Sequence, residues 1–443
     1  MRPARSMLAS YLISPLTGRV SRAWHESKRR LGRKPHTVTF YHRVSDAWSW
    51  LLAQSLPQLL DNYDIELKIR LVSSLPMDCV PDPERLDSYA SYDAMRLARA
   101  WGFSFPDGAQ SPALTLTHLA ERIILAQSEN PLSRLIAATA AVWAADSRAL
   151  AAMANQDGAV DEKKAVAMLG THLHELQKNG HYLGGMLWFQ GEWFWGLDRL
   201  YLFEKRLHAY RLNHSDHTVS ERLFRPVIRQ TAGSAMPLDL EFYFSFRSPY
   251  SYLGASRVIE LADRLGLNLV LRPLLPMVSR GIPVPSRKLR YIVRDAARVA
   301  RHDKLPFGPL RDPLGKGVER CLAVFHWANS NGAGREFMLA AMRAIWSEAA
   351  DLTRDSTMQQ LGQHAGLTAA HVDQALHSGN WRAQVEANAA ALAVLGLWGV
   401  PAMCLRGPDD KAVTAAWGQD RMWVIERAAL GVDVAMPPPR LVE

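Results

Sequence analysis

The chain has 443 residues, too many for one ordinary hydrophobic core, so two or three domains are expected. Hydrophobic residues make up 48% and charged residues 21%, a globular profile, and no apolar run reaches the ~18 residues that a membrane-spanning helix needs. The formal net charge of +9 sits almost wholly in residues 1–36, where nine Lys and Arg meet the single acid Glu26.

In that basic segment Leu8, Leu12, Leu16, Val20 and Trp24 recur every fourth residue and form one apolar helical stripe. A secretory leader is a poor reading, because Ser, Tyr and Pro15 break the apolar part and no A-x-A site follows. Three readings remain. The first packs the helix on the protein's own body, and the second lays it on a membrane surface. A nucleic-acid arm ranks last, since no other basic patch or aromatic platform accompanies it.

Residues 37–210 then read as strand, turn, helix and a second strand, "IELKIRLV", which is a βαβ unit. A long helical stretch follows, for example "SRLIAATAAVWAADSRALAAMA", and then a short strand pair and a closing helix, "WGLDRLYLFEKRL". His172, His174 and His181 invite a metal reading. However, positions i and i+2 point to different helix faces and no carboxylate or thiolate set joins them, so no metal is expected. Residues 211–237 read as a linker.

Residues 238–443 repeat the plan. Aligned without a gap, 40–72 falls on 242–274: Phe40-Tyr41 on Phe242-Tyr243, Ser49 on Ser251, Leu59 on Leu261, Asp61 on Asp263 and Arg70 on Arg272. At the far ends "WGLDRLYLFEKRL" lines up with "WGQDRMWVIERAA", sharing W-G-x-D-R and then Glu204 with Glu426. Agreement at both ends in the same order implies a tandem duplication. The three cysteines, Cys79, Cys321 and Cys404, are far apart and form no CxxC. That suits a reducing, cytoplasmic setting and speaks against thiol-disulfide exchange. No Walker loop, G-x-G-x-x-G or G-x-S-x-G is present.

The stretch "FYFSFRSPYSYLG" places Ser248 at a strand end and Pro249 at the first helical position, which Pro favours. A thiolate lying there would meet the Ser248 hydroxyl, backbone N–H groups and the positive helix end. Together these could lower a thiol pKa by ~1.5–3 units. Any Ser before a Pro-led helix could equally be a plain cap.

This half resembles the thioredoxin fold with a helical insertion, as in DsbA-like proteins. More narrowly it is similar to the 2-hydroxychromene-2-carboxylate isomerase and kappa-class glutathione transferase family. The matching segments are "FYFSFRSPYSYLG", "KLRYIVRDAARVARHDKLPF", "WSEAADL", "GLWGVPAM" and "WGQDRM". The expected fold is therefore α/β, two tandem thioredoxin-like domains, each with a helical insertion. The resemblance implies glutathione as cofactor, Ser248 facing its sulfur and Val400 pairing with its backbone. It also implies Pro401 as the fold's cis-proline, Gln419 and Asp420 near the γ-glutamyl end, and Lys288 for the glycine carboxylate. The substrate implied is a small organic electrophile, an unsaturated or aromatic acid, with Arg247 or Arg294 for its carboxylate. A homodimer is compatible, and nucleic acid is not expected as a partner. One departure is that "RGIPVPSRK" lacks the Asn of the family's GN-x-P-P segment. The rival expectation is a non-catalytic scaffold or binding module.

The first half does not keep the constellation. Asp46-Ala47-Trp48-Ser49 falls on the SPYS residues, and Met186 is expected where Pro401 stands. Asp198 and Arg199 persist, and a structural or partner role is expected for this half.

Overall fold

The computed structural model describes residue 10 and residues 13–215, 217–220 and 238–432. Leu8, Leu12 and residues 221–237 of the expected linker lie outside the described residues. The chain divides into two compact units. The N-terminal unit runs from Gly18 to residue 220 and includes the short stretch Pro285–Tyr291; the C-terminal unit takes the described residues up to Thr17, residues 238–284 and the described residues from Ile292 onward.

Helix α1 (Pro15–Leu31), which enters the N-terminal unit at Gly18, precedes β1 (Thr37–His42), α2 (Ala47–Asn62) and β2 (Glu66–Leu71). The helical stretch is α3 (Pro83–Trp101), α4 (Leu114–Leu125), α5 (Pro131–Trp143), α6 (Ser147–Asp157) and α7 (Glu162–Lys178). The hairpin β3 (Met186–Phe189) and β4 (Glu192–Trp195) and helix α8 (Leu200–Ala209) close it. The sheet order is β2-β1-β3-β4, with β1 parallel to β2 and the other pairs antiparallel. Part of the expected linker is tied down here: Asp64 N donates to Leu212 O at 2.8 Å, and Val219 and Ser220 N–H both donate to the buried Glu204 carboxylate.

The C-terminal unit repeats this order with β5 (Asp239–Phe244), α9 (Pro249–Leu265) and β6 (Asn268–Pro273). Helices α10 (Ser286–His302), α11 (Lys316–Ser330), α12 (Gly334–Ser347), α13 (Asp355–His364), α14 (Ala369–His377) and α15 (Trp381–Val394) follow. Strands β7 (Ala402–Arg406) and β8 (Ala412–Trp417) and helix α16 (Met422–Ala429) end it, in the sheet order β6-β5-β7-β8. Strand β5 is central and buried from Leu240 onward, which is why "LEFYF" carries three aromatics instead of alternating with polar residues. Phe242 stacks on Phe244, Phe244 and Phe246 meet Phe325, and Phe246 also meets Phe337 of the helical stretch, so the insertion and the sheet share one core.

The two units also repeat individual hydrogen bonds. Trp143 Nε1 donates to Val44 O at 3.0 Å, and Trp346 Nε1 donates to Phe246 O at 3.1 Å. Trp48 Nε1 reaches the buried Asp93 at 2.8 Å, which pairs with Arg96; Tyr250 OH reaches the buried Asp295 at 2.8 Å, which pairs with Arg298. The gap-free alignment thus continues through α3 and α10, where Pro83, Arg85, Tyr89, Asp93, Arg96 and Arg99 meet Pro285, Arg287, Tyr291, Asp295, Arg298 and Arg301.

Helix α1 packs on the protein's own body, but not by its apolar stripe. It packs by its polar face, with Glu26 buried, while Leu16, Val20 and Trp24 of the apolar stripe are exposed. The reason is local: Gln190 and Glu192 on the β3–β4 hairpin offer polar partners to Glu26 and Arg22. Among the described residues, no helix is long and apolar enough to cross a membrane.

Candidate functional site

Strand β5 leads through Ser245, Phe246 and Arg247 into the N-terminus of α9, and Ser248 is the cap. Its extended backbone and short side chain let Oγ accept from Ser251 N at 3.2 Å. The same hydroxyl donates to Val400 O at 3.3 Å and is only half-buried. Ser251 behaves differently. It is fully buried, and its Oγ accepts from Ser245 N at 3.3 Å, so of the two serines only Ser248 is placed to meet a ligand.

Opposite Ser248, the Val400–Pro401 peptide bond is cis and leads into β7. Among the described residues the Val400 N–H takes no hydrogen bond, and its carbonyl receives only the Ser248 hydroxyl. An extended ligand backbone could therefore pair there. Pro401 O accepts from Gly418 N at 2.8 Å, which fixes the short turn Gln419–Arg421 to the same loop. Buried Gln419 takes a hydrogen bond from Arg257 of α9 and donates to Asp420, so its amide is a strut between helix and turn. Asp420 is half-buried at the start of α16.

The structure thus gathers Ser248, Val400, Pro401, Gln419 and Asp420. Lys288 is counted with the N-terminal unit, where its Nζ donates to Cys79 O at 2.8 Å and burial lowers its pKa. Arg247 forms a two-pronged pair with Asp312, at 2.7 and 3.0 Å, so a substrate carboxylate would have to displace that partner. Arg294 is exposed on α10. The sequence reading missed Asp295 and Arg298, which brace the Tyr250 hydroxyl next to Ser248. The D-x-x-R spacing shared with Asp93 and Arg96 was the available signal.

The corresponding place in the N-terminal unit is built for another purpose. Asp46 caps α2 through Trp48 N at 3.0 Å and is buried. Met186 does not stand where Pro401 does: Met186 pairs with Tyr41 as Ala402 pairs with Tyr243, so Gly185 occupies that register. Gly185 has φ +63°, and Asp46 Oδ2 lies 3.4 Å from where a Cβ would be. A left-handed glycine beside a buried acid thus replaces a proline beside a hydroxyl. His42 is enclosed between Ser49 at 2.8 Å and Thr139 at 3.0 Å, and burial holds its pKa down to about 3. It stays neutral and structural.

Burial pushes the Asp46 carboxyl up to about 6 and the Glu121 carboxyl up to about 7, against the pull of Arg43. A raised carboxyl pKa means the folded unit holds these protons more tightly than the unfolded chain. That contribution is full below the ordinary carboxyl range of about 4 and is lost as pH rises through 6 and 7. Glu121→Gln is therefore expected to stabilise the unit on the order of 1–3 kcal/mol at about pH 8 and to flatten its pH dependence. Denaturant midpoints at acid and alkaline pH check this; a wild-type midpoint that does not fall between them would overturn it.

All three cysteines are buried and unpaired, and burial raises each thiol's pKa, Cys404 to about 12. His172 Nδ1 accepts from Leu71 N at 3.2 Å, and His181 packs edge-on to Tyr291.

Comparison with known proteins places this half of the chain. Residues 239–429 match the family described as DSBA-like thioredoxin domain. The 2-hydroxychromene-2-carboxylate isomerase of Sphingobium xenophagum is 25% identical over 201 residues, 43% of this chain and 97% of that protein. The protein of the same name from Pseudomonas putida is 24% identical over 197 residues, 43% of this chain and 93% of that one. A solved 2-hydroxychromene-2-carboxylate isomerase structure is 24% identical with a TM-score of 0.37, over 43% of this chain and 94% of its own. Residues 239–429 of the chain thus match a DsbA-like thioredoxin domain, and the second half is similar to 2-hydroxychromene-2-carboxylate isomerases.

Proposed function

We propose that the C-terminal unit is a glutathione-dependent isomerase or transferase acting on an organic electrophile, an unsaturated or aromatic acid. The observation that carries this is the Ser248 hydroxyl, half-exposed at the N-terminus of α9 and 3.3 Å from the Val400 carbonyl of the cis-proline loop. Glutathione would supply a nucleophilic thiol. The chain's part is to bind, orient and hold charge. Ser248 is free to turn its proton from the neutral Val400 carbonyl toward an anionic sulfur, since a charged partner is worth roughly 1.5–3 kcal/mol against about 1 for a neutral one. The Val400 backbone offers strand-like pairing, and Asp420 offers an acceptor for an ammonium group. Gln419 holds the turn that carries Asp420.

We also infer that the N-terminal unit is a duplicated copy that has lost this site. The support is the equal strand order, the repeated Trp and Asp–Arg hydrogen bonds, and the Asp46–Gly185 replacement.

A non-catalytic binding module is the second reading. It is favoured by Lys288, whose ammonium group is already engaged by the Cys79 carbonyl. Calorimetry on the full chain separates the two. The enzyme reading expects heat with both glutathione and S-methylglutathione, with affinity in the micromolar to millimolar range (about −8 to −4 kcal/mol). No heat with either compound would end it.

A further inference from the structure

Helix α1 carries two faces with opposite partners. Its inner face is polar and fully engaged. Glu26 accepts from Arg29 Nε at 3.0 Å, Arg30 Nε at 2.7 Å and Gln190 Nε2 at 2.9 Å, and the two arginines, Arg29 foremost, hold its carboxyl down to about 2. Arg22 lies 3.4 Å from Glu192, and the His25 ring meets Trp188 edge-on at 5.8 Å. Gly191 at the tip of the β3–β4 hairpin makes this approach possible, because a Cβ there would lie 2.6 Å from His25 Nε2.

The outer face is apolar. Leu16 is 68% exposed, Val20 69%, Trp24 59% and Leu31 88%, and at 100° per residue these four fall on one sector of the helix. Exposed Arg19 and Arg30 border that sector on one side and exposed Lys28 on the other, with Lys28 Nζ 5.3 Å from the Trp24 ring centre. Arg33 and Lys34 follow, also exposed. The one acid of the helix, Glu26, is consumed on the inner face, so the outward charge is entirely positive.

We propose that this outer face of α1 seats the protein on an anionic lipid bilayer. Leu16, Val20, Trp24 and Leu31 enter the acyl boundary, and the flanking cations meet lipid phosphates. Apolar depth beside cationic rims is the arrangement an interfacial helix needs. A second copy of the chain fits less well, because a two-fold contact through the apolar sector would bring like-charged rims together. A polyanion without an apolar layer would leave the exposed row uncovered.

The test is flotation of the full chain with vesicles of phosphatidylcholine, with and without phosphatidylglycerol. Binding is expected only to the anionic vesicles at low salt, and raised salt should weaken it about tenfold or more. The exposed double variant Val20→Ser/Trp24→Ser should lose about tenfold or more in affinity. Its far-ultraviolet spectrum and melting midpoint should stay close to those of the wild type, since both side chains are mostly exposed. Arg19→Gln/Lys28→Gln should lose binding in the same direction and retain its fold. Equal flotation of wild type and Val20→Ser/Trp24→Ser would overturn the proposal, as would no flotation at all. A lipid-free dimer abolished by that double variant, without vesicle binding, would also overturn it and make a second copy the occupant.

Discussion

Asp295→Ala is expected to destabilise the C-terminal unit by about 3–5 kcal/mol, because it breaks a buried ion pair from one side. Asp295 is fully buried, pairs with Arg298 at 2.9 Å and accepts from Tyr250 OH at 2.8 Å. Removing the carboxylate takes the ion pair from the Arg298 guanidinium and an acceptor from the tyrosine hydroxyl. The loss corresponds to a fall of roughly 6–20 °C in unfolding midpoint for a unit of this size. Asp295→Asn keeps an acceptor for Tyr250 but not the countercharge and should fall between the two. Thermal unfolding of the full chain checks this; an unmoved midpoint for Asp295→Ala would mean the pair contributes nothing to stability.

The second large effect concerns chemistry. In Ser248→Ala the bound glutathione thiol should rise by about 1–2 pKa units, through loss of one charge-assisted hydrogen bond. The thiolate is the form that attacks, so its fraction at neutral pH falls accordingly. Affinity should change less, because Val400 and Asp420 are untouched. A separate cost of about 1 kcal/mol in stability follows from losing the helix cap on Ser251 N. Thiolate absorbance of the bound ligand, followed against pH, reads the shift. If wild type and variant titrate alike, Ser248 is a cap and the binding-module reading takes precedence.

Much of the site was legible because local chemistry dictates it. Ser248-Pro249 marks a strand-to-helix junction in any fold, and "GVP" before "WGQDR" put Pro401 and the closing turn in order. Other features required the third dimension. The likeness of "LGGML" to "WGVPA" put Met186 on Pro401, one residue off, and only strand pairing, Met186 with Tyr41 as Ala402 with Tyr243, reveals Gly185. Lys288 belongs to the matching segment by sequence, yet the first turns of α10 pack with the N-terminal unit and aim its ammonium at Cys79. The stripe through Leu16, Val20 and Trp24 was legible as a stripe. Its direction was not, because the polar face opposite had the better partners in Gln190 and Glu192.

The three enclosed cysteines have a practical consequence. With every native thiol sealed from solvent and held protonated, the folded chain is silent toward reagents that report sulfhydryls by colour. Any signal in such an assay comes from the added tripeptide alone. Its consumption or return can therefore be followed stoichiometrically without first stripping the protein of its own sulfur.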